Sequence, residues 1–256
     1  MDKTKKITRV VVNGDSLRLY NPEDKSTQMI EKTLDFIDDK DGKIGYVGSY
    51  AFYRQSLMSY INLPGCQSVG ESAFLGCSKM SNVTIPNISL VPSACFMNCY
   101  SLENVDFPYV TSLSSSAFYS CSNINNVNLP RCEIVGYNAF YQCSALTKIY
   151  LPQCRILQSS AFGGCSKLGV VDFPVLSSLF GGAFANCRML SQVILRNSSV
   201  IQYSSPFYNT PILASSYLGY FGSIYVPASL VDSYKTATGW TSISSRITSI
   251  DNLPTE

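Results

Sequence analysis

Ten cysteines are the side chains of this sequence with the most chemistry open to them, as zinc ligands or disulfide partners. Each of those uses demands a spacing. Six of the ten stand at Cys77, Cys99, Cys121, Cys143, Cys165 and Cys187, always 22 residues apart. Cys66, Cys132 and Cys154 share a second phase, two residues after a proline, and Cys95 stands alone. Zinc sites favour close pairs such as C-x2-C with a matching pair. A 22-residue interval gives a ladder instead of a tetrahedron, and the chain has no histidine. Neighbouring rungs could approach within bonding distance, but parallel side chains are poorly oriented for a disulfide. In the second phase Ile88, Val110 and Leu176 take the place of Cys, and where Cys95 stands other copies have Ala. That exchange is the behaviour of a small, buried apolar residue. The spacing therefore predicts ten reduced thiols, most of them buried, with disulfide rungs and a metal site as the disfavoured alternatives.

Other chemistry is sparse. Without histidine there is no histidine general base and no Ser-His-Asp arrangement. The chain has neither a phosphate-binding loop nor the glycine fingerprint of a dinucleotide site. Asp38, Asp39, Lys40, Asp41 and Gly42 resemble the start of a calcium loop that lacks its closing Glu; a charged turn is the plainer reading. No enzymatic activity, metal site or cofactor is expected. A net charge of +2 gives no general attraction to nucleic acid or an anionic membrane. No apolar run reaches eighteen residues, so membrane insertion is not expected. The opening "MDKTKKITRVVVNGDS" has no apolar stretch long enough for a signal-peptide core. The expectation is a chain that is not exported by that route or that lacks an original leader.

What must position these side chains is a repeat. "SAFLGCSKMSNVTIP", "SAFYSCSNINNVNLP" and "SAFGGCSKLGVVDFP" occupy residues 72–86, 116–130 and 160–174. Phe recurs at 52, 74, 96, 118, 140, 162 and 184, and Pro at 64, 86, 108, 130, 152 and 174, without an insertion. Apolar residues hold fixed phases around them, as in Met80, Val83 and Ile85. One unit has too few apolar residues to make a core, but stacked units bury them against each other. "NVTIP" alternates apolar and polar residues, as a short strand with one buried face does, and Pro ends it. One strand per coil at constant phase predicts a parallel sheet along seven to eight coils. Small residues before each Phe predict a tight turn of the 3₁₀ kind.

The unit "SAFxxCSxLxxVxLPxxxxIxx", over about residues 44–226, resembles the BspA-type leucine-rich repeat. The ending "IYVPASLVDSYKTATGWTSISSRITSI" is similar to the closing segment of many such proteins. The resemblance implies a right-handed leucine-rich-repeat solenoid with a binding or adhesion role. It implies a cell-surface setting in host-associated bacteria, or a phage protein, the latter suiting a chain without a leader. A virion or cytoplasmic location stays open.

Charge and pattern mark the ends. Residues 1–43 carry 18 of the 36 charged side chains, and residues 44–197 only 13. Three segments are expected: 1–43, a cap or a docking segment; 44–226, the solenoid; 227–256, a C-terminal cap. In the first, "ITRVVVNGDSLRLYN" reads as a hairpin around Asn13 and Gly14, and "STQMIEKTLDFIDDKDG" as a helix with Ile30, Leu34 and Ile37 on one face. In the last, Pro227 opens a helix with Leu230, Val231, Tyr234 and Ala237 on one face and Gly239 at its end. Trp240 either covers the last coil or forms a ligand platform.

Two surfaces could bind. Polar strand positions point to one common face: Tyr60, Asn62, Asn82, Thr84, Asn104, Asp106, Asn126, Asn128, Lys148, Tyr150 and Asp172, with Val170 among them. Rich in Asn and poor in charge, this face could hydrogen-bond a glycan or a polar protein patch, or be soluble filler. A second stripe, Tyr53, Leu75, Met97, Tyr119 and Tyr141, is either a contact surface or a half-buried coil edge. The function expected is non-enzymatic recognition of a protein or glycan ligand through the strand face, in an oligomeric state left open. The alternative is a structural virion or fibre component of a phage, docked through the N-terminal segment.

Overall fold

Eight phenylalanine rings stack face to face through the middle of the molecule. From Phe52 to Phe207 successive centroids lie 5.2–5.9 Å apart, with planes within 10°. Near-parallel rings at that distance are offset, the arrangement their quadrupoles favour. The computed structural model describes residues 9–13, 16–20, 27–30, 36–213 and 221–254. The column exists because each coil returns to the same place after 22 residues, building a parallel-strand solenoid of about nine turns. That is one to two turns more than the seven to eight expected.

Each coil carries the expected three- or four-residue strand. These strands pair in parallel and in register along one face, as with Lys148–Tyr150, Val170–Phe173, Gln192–Leu195, Ser223–Val226 and Ile247–Ser249. Their middle residues enter the core, although Val83 and Val127 stay half-buried against it. The structure adds a second strand per coil. Two-residue strands from Leu90–Val91 to Ser178–Leu179 form a second parallel sheet.

The turn before and after each Phe is not a continuous 3₁₀ segment. Residues two before and two after each Phe have positive φ, for instance Ser116 at 58° and Ser120 at 58° around Phe118. A 3₁₀ helix needs φ near −50 to −70° throughout. Left-handed residues instead cut the segment into single i→i+3 turns, such as Tyr119 N to Ser116 O and Cys121 N to Phe118 O, both 3.1 Å. The turns also bond between coils. Phe96 N donates to Ala117 O at 2.8 Å and Phe118 N to Ala139 O at 2.7 Å, so buried backbone groups stay satisfied.

At the N-terminus the hairpin is present: Arg9–Asn13 runs antiparallel to Ser16–Tyr20, with Asn13 opposite Ser16. Gly14, within the expected turn, lies outside the described residues. Arg9–Asn13 also runs parallel to Tyr46–Val47, which pairs with Ser68–Val69, so the hairpin joins a separate sheet made of the short strands of the first two coils. The helix expected over residues 26–42 is corrected. Thr27–Ile30 is a strand paired with Ser16–Tyr20, and Phe36–Asp38 is a strand paired with Tyr60–Asn62. Leu34 lies outside the described residues. Ile37 faces Ile61 as a coil residue does, because a long-range strand partner outweighs a weak helical period.

At the other end Ala228–Leu230 and Val231–Thr236 form a 3₁₀ turn and a short helix. Leu230, Val231 and Ala237 pack against the core, and Tyr234 is buried. Trp240 is fully buried, edge-on to Tyr203 and Tyr234, and its Nε1 donates to Ile201 O at 2.8 Å. It therefore seals the end of the stack and offers no platform to a ligand. Gly239, at φ 84°, permits this, since a Cβ there would meet the Tyr203 ring at 2.7 Å. Among the described residues no helix is long and apolar enough to cross a membrane.

Candidate functional site

The cysteines of the main ladder have a task that the reading of Cys as a small apolar residue did not suggest. All ten are free and buried. In the main ladder each thiol donates to the carbonyl of a Phe 25 residues earlier: Cys77 to Phe52, Cys99 to Phe74, Cys121 to Phe96, and on to Cys187 and Phe162, at 2.9–3.3 Å. The thiol column and the ring column thus hold each other in register. Cys66, Cys132 and Cys154 donate to the carbonyl two residues on, at 3.2–3.6 Å, and not to a Phe carbonyl. Burial pushes the Cys77, Cys132 and Cys165 thiols each up to about 12, so these three remain protonated and unreactive at neutral pH.

The charged run at 38–42 is a closed turn. The Asp39 carboxylate accepts from the backbone N–H of Lys43 at 3.1 Å and of Ile44 at 2.7 Å. Lys43 Nζ meets Asp41 Oδ2 at 2.6 Å, and Asp38 takes the amide of Asn62 at 2.8 Å.

The strand face carries the expected residues in two rows. Asn82, Thr84, Asn104, Asp106, Asn126, Asn128, Lys148 and Tyr150 are exposed; Tyr60, Asn62, Val170 and Asp172 are half-buried. Register brings them together coil on coil, with Asn104 opposite Asn126 and Asp106 opposite Asn128. Their amides are partly used among themselves. Asn126 Nδ2 donates to Asn104 Oδ1 at 3.3 Å, and Asn128 Nδ2 to Asp106 Oδ1 at 2.8 Å. The second stripe is a coil edge: Tyr53 is exposed, whereas Leu75, Met97, Tyr119 and Tyr141 are half-buried, with Tyr119 and Tyr141 stacked at 5.1 Å.

Toward the C-terminal end the face deepens into a groove of about 680 Å³. Asn126, Lys148, Tyr150, Val170 and Asp172 line it, together with residues not expected from the sequence: Asn125, Gln192, Ile194, Arg196, Leu253 and Pro254. Arg196 occupies the place where other coils have Pro. Its Nε and Nη2 grip Asp172 at 3.1 and 2.9 Å, a fork-to-fork pair that fixes both side chains. The Asp172 hydrogen bond raises the Arg196 guanidinium further above its ordinary value. Replacement of Pro by Arg was the visible signal; Leu253 and Pro254 gave none, since they lie outside the repeat. At the opposite end, exposed Phe36 stacks on Tyr60 at 5.1 Å. Phe36 precedes Tyr60 by 24 residues instead of 22, which hid it from the period.

Comparison with known proteins fits this architecture. The family model for the BspA type leucine rich repeat region matches residues 45–169 and 90–214, with six copies. The chain belongs to that family. Among solved structures, a T. pallidum leucine rich repeat protein shares 22% identity over 70% of this chain and 90% of its own, with a TM-score of 0.58. A leucine-rich repeat protein from Bacteroides ovatus shares 19% identity over 84% and 70%, at 0.49. A leucine rich cell surface protein from Faecalibacterium prausnitzii shares 16% over 86% and 89%, at 0.42. No curated protein sequence is significantly similar.

Proposed function

We propose that this protein is a non-enzymatic binding and adhesion module that recognises a protein or glycan ligand through its strand face. Residues 44–226 present that face in this reading, and segments 1–43 and 227–256 close the two ends. The observation that carries it is the contrast in one strand row. Six successive coils carry six different outward pairs, from Tyr60 and Asn62 to Val170 and Asp172, on a frame whose interior barely changes. A surface varied on a regular frame can be complementary to one partner. Tyr150 is 57% exposed, and Lys148 makes no ion pair among the described residues, so both are free to contact one.

The test is a panel of extracellular-matrix proteins and oligosaccharides, probed with the wild type, with Tyr150→Ala and with Arg131→Ala. Arg131 lies off the strand face, over the Tyr109 ring at 5.0 Å. Binding lost in Tyr150→Ala and kept in Arg131→Ala supports the strand face. Binding lost only in Arg131→Ala moves the site to another surface.

A further inference from the structure

The groove at the C-terminal end of the strand face has a chemistry narrower than the face as a whole, and its role as a subsite rests on that face being the binding surface. We infer that the groove is a subsite for a carboxylate-bearing sugar, a uronic or sialic acid unit within a glycan.

Three features of the groove carry this. The first is an aromatic platform beside a free cation. Lys148 and Tyr150 leave the same strand on the same side, two residues and so about 7 Å apart. A pyranose ring lying on the exposed Tyr150 ring places an exocyclic carboxylate within reach of the Lys148 ammonium. Aromatic rings hold apolar faces of ligands while a polar handle sets orientation.

The second feature is the charge count. Asp172 and Arg196 neutralise each other through their fork, which leaves Lys148 as the uncompensated charge among the described residues that line the groove. One ammonium matches a monoanionic carboxylate. A phosphate or sulfate ester is better matched by forked guanidinium groups, and among the described lining residues the one guanidinium, Arg196, has Nε and Nη2 already committed to Asp172.

The third is shape and spacing. Leu253 and Pro254 wall the groove, and its volume of about 680 Å³ suits a few sugar rings. Strands lie about 4.8 Å apart, close to the advance of a linked pyranose chain, so a glycan running along the stack meets one coil per ring. Gln192 and Asn126 then supply amides, and Asp172 an acceptor, for ring hydroxyls. A protein partner needs a cluster of apolar or aromatic anchors at the centre of its interface. The apolar and aromatic residues stay within the groove, at Tyr150, Val170, Ile194, Leu253 and Pro254, and the outward positions of the preceding coils, from Asn82 to Asp106, hold only Asn, Thr and Asp.

The experiment is calorimetric titration of the full chain with a uronic-acid tetrasaccharide, its carboxyl-reduced counterpart, a sialylated trisaccharide and the asialo disaccharide. The expected result is binding of at least one carboxylated sugar, tenfold or more tighter than its neutral counterpart. Lys148→Gln should abolish that preference, and Lys79→Gln, an exposed lysine elsewhere, should leave it intact. Tyr150→Ala should weaken acidic and neutral sugars alike by tenfold or more. Both changed side chains are exposed, and an unchanged melting curve verifies folding. Failure of every carboxylated sugar to bind, equal binding of acidic and neutral forms, or a preference that survives Lys148→Gln overturns the inference. If no sugar binds but an extracellular protein does and is lost in Tyr150→Ala, the strand face stands and the acidic-sugar subsite falls. Ligand binding indifferent to both Tyr150→Ala and Lys148→Gln removes both.

Discussion

Inside the stack, eight coils present the same ring at the same place, and six present the same thiol three residues later. On the outer side of the same strands no outward pair is used twice. The two regions share a backbone and differ in what touches them. An interior position meets its own copies above and below, so a ring that stacks well once stacks well everywhere. An outward position meets solvent and a neighbour about 4.8 Å away, so many side chains are tolerated. The outward row itself divides. From Asn104 to Asn128 the side chains bond to one another, Asn126 to Asn104 and Asn128 to Asp106, whereas Tyr150 stands exposed.

The interior should fail together when its thiols ionise. In the folded chain burial holds Cys77, Cys132 and Cys165 near 12, and Cys95, Cys99, Cys143 and Cys187 are also raised. An unfolded thiol titrates near 8.5. Above that pH the unfolded chain has released protons the folded chain keeps, so rising pH favours unfolding. The contribution of these raised thiols is whole below about pH 8 and is lost between about 8.5 and 12, each of them adding about 1.4 kcal/mol per pH unit. Circular dichroism should show a steep alkaline collapse before pH 12. At pH 7.5 a thiol reagent should label few groups in the native protein and all ten after unfolding. A melting temperature flat from pH 8 to 11 would contradict the buried ladder.

Phe118→Ala removes a ring stacked on Phe96 at 5.4 Å and on Phe140 at 5.2 Å. The expected loss is about 3–5 kcal/mol by denaturant titration. Coupling between coils should lower protection from hydrogen exchange on both sides of the gap. A loss confined to one coil would show that the column is not continuous.

The two cysteine phases separate a contact to a Phe carbonyl from a contact to the carbonyl two residues on. Cys121→Ala loses its contact to Phe96 O and some volume, though that carbonyl keeps the Cys99 N–H at 3.2 Å. A cost of about 1–2 kcal/mol is expected. Cys132→Val should cost less than about 1 kcal/mol, because Val110 already fills the equivalent slot one coil earlier. Equal costs would mean that the Cys121 contact to Phe96 O contributes no more than the Cys132 contact to Ile134 O.

Much of the interior is legible in the sequence because period and burial coincide: a Phe every 22 residues can only be a core column. What stays hidden has particular causes. Pairs such as Ser68–Val69 are too short to alternate, so the second strand leaves no pattern. The left-handed turns fall on Arg54, Ala94 and Gln142 as well as on Gly and Asn, and those residue types do not announce positive φ. Phe36–Asp38 escapes through a two-residue break in period and reads as helix. The outward rows are visible in the alternation, because constant phase implies parallel register. The groove is not, since Arg196, Leu253 and Pro254 come from where the repeat ends and no period relates them to Lys148 or Tyr150.

The smallest effect expected is the most pointed for the strand face. Asn126 and Asn128 each donate an amide to the coil before, at 3.3 and 2.8 Å, and both are exposed. Water replaces such bonds at little cost, so Asn126→Ala with Asn128→Ala should change stability within about 0.5 kcal/mol. The same double change removes an amide that lines the groove beside Lys148 and one that does not line it. Measured separately against a glycan or protein ligand, Asn126→Ala should weaken binding and Asn128→Ala should leave it nearly unaltered. If the two weaken binding equally, the ligand runs along the whole face, and the division between the self-bonded row and the groove is wrong. A large melting shift from the pair would mean that the amide ladder, and not only the ring column inside it, holds the coils together.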